Sequence, residues 1–260
     1  MAKYMTPALD KGLDILEYLS EIAVPQSQIE ISQGINKTPN EIYRMLVCLE
    51  ERGYLNKDSA TGKFSLSLKL YQLSHRHSPV DEFLKASKPI MELLSNTTKQ
   101  SCHIGILYDK KLMVISQTRS PGPVSLSIEE GSLFPLHKTT SGRVLLAFMP
   151  DPQRGNLLEG TKDFVSLSQK QRKAFLNQLE EVKAKGYDMR DSEITHGVID
   201  IATPVGSANH GIYAALAISS LSNITDKEKS LDFLVKEVKN AAHKINEAIG
   251  VMKPTIKDSL

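Results

Sequence analysis

Asn40 and Arg44 stand one helical turn apart near the start of KTPNEIYRMLVCLEERGYL, residues 37–55. Their side chains are the two that pair bidentately with base edges, asparagine with adenine and arginine with guanine. Tyr43 lies between them and can reach a phosphate or pack on a sugar. Lys37 and the helix N-terminus suit a phosphate contact. Ile42, Met45, Leu46 and Leu49 recur at i, i+3, i+4 and i+7, so they fill the opposite face. Thr38 is a good N-cap, Pro39 suits the first helical position, and Glu41 completes a capping box with Thr38. Gly53 ends the helix. An ordinary surface helix can look the same, so the neighbouring elements must decide.

Those neighbours are ordered. Residues 7–20 place Leu9, Leu13 and Leu16 on one stripe. After Pro25, Gln26 or Ser27 can start a short helix, and Gly34 with Asn36 makes a turn. Beyond Gly53, YLNKDSATGKFSLSL alternates around a polar turn at residues 58–62, which is a hairpin signature. Helix, short helix, tight turn, capped helix and hairpin is the order of a winged helix-turn-helix. In that motif the second helix enters the DNA major groove with its N-terminal residues at base edges. Lys63 at the hairpin tip then offers a wing contact to the phosphate backbone. A winged helix that docks on protein is the alternative.

The whole chain sets bounds. Its 260 residues leave room for one large domain or two smaller ones. The net charge of +2 is no global footprint for nucleic acid, although between Asn36 and Arg76 basic side chains outnumber acidic ones by seven to four. No apolar run approaches the ~18 residues of a membrane span, and no signal-peptide core opens the chain, so no membrane partner and a cytoplasmic location are expected. Cys48 and Cys102 are the only cysteines and are expected to be free thiols. His75 and His77 have a chelating spacing but read as solvated linker residues, so no metal is expected. Cys102 and His103 are neighbours on a strand and point to opposite faces, which makes them poor nucleophile and base partners. His137 near Thr139 and Ser141 lacks an elbow motif, and His196 reads as a loop residue. No phosphate-binding glycine loop is present. Neither a catalytic group nor a cofactor is expected, and an enzyme is the rival class set aside.

A polar break, SHRHSPVDEF at residues 74–83, divides a domain at 1–78 from one at 79–260. A helix is expected over 80–96 with Phe83, Leu84, Ile90, Leu93 and Leu94 inward and a kink or break at Pro89. Strands follow at 101–108, 112–118 and 123–128, then helices at 141–148 and 169–185. A hairpin at 199–205 and 211–219 turns around GSANHG, and a last helix at 226–249 turns Leu231, Leu234, Val235, Val238, Ala242, Ile245 and Ile249 inward. Hairpins with segregated helices imply an α+β domain on a mixed, largely antiparallel sheet.

PLHKTTSGRVLLAFMP (135–150) and GYDMRDSEITHGVIDIATPV (186–205) resemble the signature segments of IclR-type transcription regulators. ALDKGLDILEYLSE and IYRMLVCLEERGYL resemble that family's DNA-binding half. The resemblance covers nearly the whole chain in the right order and spacing. It implies a winged helix-turn-helix, a linker helix and a GAF-like effector domain. It also implies operator DNA, a small organic acid effector, and a homodimer or homotetramer. A repressor is the expected form, although no residue separates repression from activation. The family's pocket maps onto Thr140 and Ser141, onto Leu126 and Phe134 as apolar walls, and onto Arg190, Asp200 and Ser219 near strand ends. Backbone N–H groups at the helix start ahead of Arg143 can converge on a carboxylate, as can an arginine. Two positions depart from the family pattern: residue 190 is often acidic, and residue 200 is often cysteine or another small residue. Arg190 and Asp200 facing one cavity would pair with each other or read a ligand carrying both an acid and a hydroxyl.

Overall fold

The computed structural model describes residues 6–74, 79–123, 125–207, 212–221 and 230–251. The chain divides into two compact units, Met1–Ser78 and Pro79–Leu260. His75, His77, Gly211 and residues 226–229, all included in the expectations above, lie outside the described residues.

The first unit holds α1 (Pro7–Ile22), α2 (Gln28–Gly34), α3 (Pro39–Glu51), β1 (Leu55–Lys57), β2 (Phe64–Leu66) and α4 (Lys69–Ser74). Its core is Ile15, Leu19, Ile31, Ile42, Leu46, Leu55 and Phe64. Of the Leu9, Leu13 and Leu16 stripe of α1, only Leu16 packs against this core. Leu9 and Leu13 are 59% and 46% exposed, while Ile15 and Leu19 are buried. The helix carries two adjoining apolar stripes, and only the position of α3 and β2 decides which one becomes core. The hairpin pairs Leu55 with Leu66 and Lys57 with Phe64. Gln26 forms an isolated antiparallel bridge to the hairpin, exchanging backbone hydrogen bonds of 2.9 and 2.7 Å with Phe64. The short α4 was not foreseen.

Glu41 ties α3 to its surroundings. It accepts the Thr38 N–H and hydroxyl, both at 2.9 Å, and the Lys11 ammonium of α1 at 3.0 Å. The Thr38 backbone N–H and then Lys11 hold its carboxyl at about 2, below the ordinary 4.5. A depressed folded-state value stabilises the fold above the unfolded value and loses that effect as pH falls through the folded one. Glu41→Gln should therefore lower the melting temperature at neutral pH, and the gap to wild type should narrow below about pH 4.5 and close only as pH falls to about 2. Thermal unfolding followed by circular dichroism at these pH values tests this; an equal gap would exclude the charged carboxylate as the cause.

The second unit holds α5 (Pro79–Thr98), β3 (Ser101–Tyr108), β4 (Lys111–Thr118), β5 (Leu133–Pro135), a 3-10 turn (Leu136–Lys138), α6 (Thr140–Phe148), α7 (Asp151–Glu159), α8 (Lys162–Val165), α9 (Gln169–Lys185), β6 (Asp188–Asp191), β7 (Val198–Ser207), β8 (Ile212–Leu221) and α10 (Leu231–Ala248). The six strands run in the order β5-β4-β3-β8-β7-β6, and every neighbouring pair is antiparallel. Alternation along the strands gives the sheet two apolar faces. Cys102, Ile104, Ile201 and Ile218 meet Phe83, Met91 and Leu94 of α5 and Leu234, Val238 and Ile245 of α10. Leu112, Ala202, Ala215 and Ala217 meet α6 and α9 on the other face.

Three expectations are corrected in this unit. Residues 125–128 form no strand; β5 occupies the edge of β4 instead, pairing Leu112 with Phe134. Segment 127–130 is held by a side chain rather than a ladder: Gln117 bonds Ser127 at 3.2 Å and also accepts the Ile128 N–H. α5 is one continuous helix with Pro89 inside it, which overturns the break and not the kink. Leu93 and Leu231, expected inward, are exposed. α7 and α8 went unassigned in the sequence.

Candidate functional site

The first candidate site is the start of α3. Ser27 and Glu30 cap α2 reciprocally, and the turn after it places Asn36 in a left-handed conformation with φ of 53°. The Gln28 side chain then grips the Pro39 carbonyl at 2.8 Å, which sets the angle between the two helices. Tyr54 N–H to Leu49 O and Gly53 N–H to Glu50 O, both 2.8 Å, close the far end in a Schellman motif. With Ile42 and Leu46 buried, Lys37, Thr38, Asn40, Tyr43 and Arg44 are all exposed. Lys63 does not stand free at the hairpin tip. Its ammonium lies 3.4 Å from Glu30 Oε2.

The second candidate site is a cavity of about 540 Å³ in the second unit. It brings together six residues expected from the sequence: Leu126, Phe134, Thr140, Ser141, Asp200 and Ser219. The side chain of Thr139, the N-cap of α6, accepts the Gly142 N–H at 3.1 Å. The N–H groups of Thr140 and Ser141 in the first turn have no intrahelical acceptor. Their side chains are buried at the cavity wall. This arrangement presents hydroxyl and N–H donors to an acidic group, supported by the positive end of the helix. Loop 192–195 covers the cavity with Ser192, Ile194 and Thr195. Glu193 staples that loop to the buried guanidinium of Arg143. Burial, and then the charge of Arg190, lower the Arg143 value below that of an ordinary arginine.

Arg190 is a correction. It does not line the cavity, and it does not pair with Asp200. Its guanidinium grips Asp188 at 2.8 and 2.9 Å and Gln178 at 3.2 Å. Residues 188 and 190 share one face of β6. Asp188 is only 3% exposed, so its carboxylate claims the nearest cation. Asp200, although opposite Arg190 in the ladder, accepts the Ser219 hydroxyl at 2.6 Å instead. Arg190→Ala should then destabilise the protein by about 1–2 kcal/mol, a partly exposed version of a broken buried pair. Urea unfolding measures this; an unchanged midpoint would remove the pair from the fold's supports.

Sequence reasoning missed His103. It is 8% exposed, and Nε2 lies 3.3 Å from Ser141 Oγ. Burial lowers its value and the Asp200 charge opposes that. The signal was present in the parity of β3. Cys102 faces α5 and its thiol donates to Met91 O, which turns His103 towards α6. Burial pushes the Cys102 thiol up to about 12, so it is inert at neutral pH.

Residues 8–59 match the IclR helix-turn-helix domain model, and residues 80–247 match the model for the bacterial transcriptional regulator IclR C-terminal domain. The chain belongs to the IclR family. Among curated IclR-type relatives, the transcriptional regulator XynR of Escherichia coli is 25% identical over 94% of this chain and 97% of its own. KdgR of the same organism is 28% identical over 85% of this chain and 84% of its own. The IclR regulator of Alicyclobacillus acidocaldarius has the same fold, with a TM-score of 0.73 at 22% identity over 95% of this chain and all of that one. So does an IclR homologue from Microbacterium hydrocarbonoxydans complexed with 4-hydroxybenzoate, with a TM-score of 0.77 at 19% identity over 94% and 100%. This IclR-family protein is thus a helix-turn-helix transcriptional regulator with a C-terminal effector-binding domain, and not an enzyme. No helix among the described residues is long and apolar enough to cross a membrane.

Proposed function

We propose that this regulator is a cytoplasmic, sequence-specific repressor released or tightened by a small organic acid. What supports the ligand class is the start of α6, where Thr140 and Ser141 open into a cavity of about 540 Å³. That volume suits a small molecule. The ligand bound by the Microbacterium homologue, 4-hydroxybenzoate, is an acid with a hydroxyl. A relative from Klebsiella pneumoniae, 26% identical, is a transcriptional repressor, AllR. In this reading Asn40 and Arg44 read bases, while Lys37, Thr38 and Tyr43 position the backbone. Asp200 and Ser219 take the ligand's hydroxyl end. Exposed Leu9 and Leu13 supply apolar surface for a homodimer or homotetramer. An effector changes DNA affinity only by binding the DNA-competent and incompetent states unequally.

Fluorescence anisotropy on DNA from the protein's own upstream region, against scrambled DNA at two salt concentrations, tests the reading. Tight binding to the native fragment alone is expected, with a shift on adding an organic acid. Salt-independent, sequence-blind behaviour would sink it. In the same assay Lys63→Ala should weaken binding to all sequences alike and reduce the salt slope by about 1. An unchanged slope would mean that Glu30 retains Lys63 in the complex.

A further inference from the structure

We propose that His103 is the counter-charge for the effector, binding the acid as an imidazolium that forms when the ligand arrives. This rests on the organic-acid reading of the cavity. An anion taken out of water into a partly enclosed site needs compensating charge or hydrogen bonds. Among the described residues the lining contains two carboxylates, Glu129 and Asp200, and neither lysine nor arginine. The arginines on adjoining elements are committed, Arg143 to Glu193 and Arg190 to Asp188. The first turn of α6 offers only about half a positive charge. Among the described lining residues, His103 is the side chain able to become cationic at ordinary pH.

Its position fits that role. On the cavity face, β8 places only Ala217 and Ser219 between His103 on β3 and Asp200 on β7. Small side chains there leave the imidazole room beside the first turn of α6, where Nε2 lies 3.3 Å from Ser141 Oγ. Among the described residues, Asp200 from β7 is the charged group that acts on it, Glu129 from the segment before β5 lines the same cavity, and Arg143, two residues after Ser141 on α6, is paired with Glu193. The partner of His103 on β4 is neutral Gln117. Burial keeps the imidazole neutral in the free protein despite Asp200. A second carboxylate arriving against Ser141 favours the protonated form. Protonation that accompanies binding makes affinity fall as pH rises, by up to about tenfold per pH unit.

The test uses the full chain with three probes: 4-hydroxybenzoate, pyruvate and gluconate. Thermal shift selects those that bind. Isothermal titration in buffers of different ionisation enthalpy then counts protons, and a pH series gives the affinity slope. We expect uptake of about one proton and a Kd rising close to tenfold between about pH 7 and 8. In His103→Gln the uptake and the slope should vanish while binding weakens. If that variant does not fold, wild type labelled with 15N-histidine supplies the readout, with one ring neutral without ligand and cationic with it. Binding with no proton uptake, or uptake that persists in His103→Gln, overturns the inference and leaves the organic-acid reading standing. No binding by any of the three overturns both.

Discussion

Gly142→Ala is expected to destabilise the second unit by about 2–4 kcal/mol and to weaken effector binding with it. A Cβ at this position would meet Leu136 O at 2.1 Å, Leu136 Cα at 2.6 Å and Thr139 Oγ1 at 2.6 Å. Two of these are backbone atoms of the turn leading into α6, so no side chain can swing aside to make room. The turn must move, and the Thr139 hydroxyl must release the Gly142 N–H it accepts at 3.1 Å. Losing the cap costs about 1 kcal/mol and overpacking about 1–3 more. Residues 140–147 are all buried, so α6 has no solvent side into which to relax. The same shift displaces Thr140 and Ser141 at the cavity wall. Urea unfolding and ligand titration measure the two effects. Gly155→Ala, with open space around its Cβ site, is the control and should be neutral or slightly stabilising. Equal behaviour of the two variants would refute the close approach at Gly142.

Arg44→Ala should reduce specific DNA binding by about 1–3 kcal/mol, roughly 5- to 150-fold, and relax the choice of base at one position. Its stability should stay within about 0.5 kcal/mol of wild type, because Arg44 is exposed and Ile42 and Leu46 hold the helix. Binding to scrambled DNA should change less than binding to the operator, which separates base reading from phosphate contact. Operator affinity equal to wild type would remove Arg44 from the base-reading set. Asn40→Ala should behave similarly with a different relaxed position, whereas Lys63→Ala should be sequence-blind.

Legibility followed the range of the interactions. The ends of α3 were readable because Thr38, Glu41, Gly53 and Tyr54 close their hydrogen bonds within a few residues. The β7–β8 hairpin was readable because both strands are rich in apolar residues on either side of a polar turn, and they pair in register from Val198 with Leu221 to Ser207 with Ile212. Segment 123–128 alternates like a strand, yet β5 takes the edge it would need. Arg190 was expected at the ligand because residues 190 and 200 map together. Its partner was chosen by Asp188, whose burial is invisible from spacing.

By itself, the sequence determined the succession from α1 to the β1–β2 hairpin, the capped helix α3 with Asn40 and Arg44 on its outer face, and the family, since all of these are written in local pattern. The tertiary structure alone decided which stripe of α1 became core, which arginines were committed to carboxylates, and that His103 meets Ser141 and lines one cavity with Asp200. Burial and charge pairing depend on neighbours far apart in the chain, and no window of residues contains them.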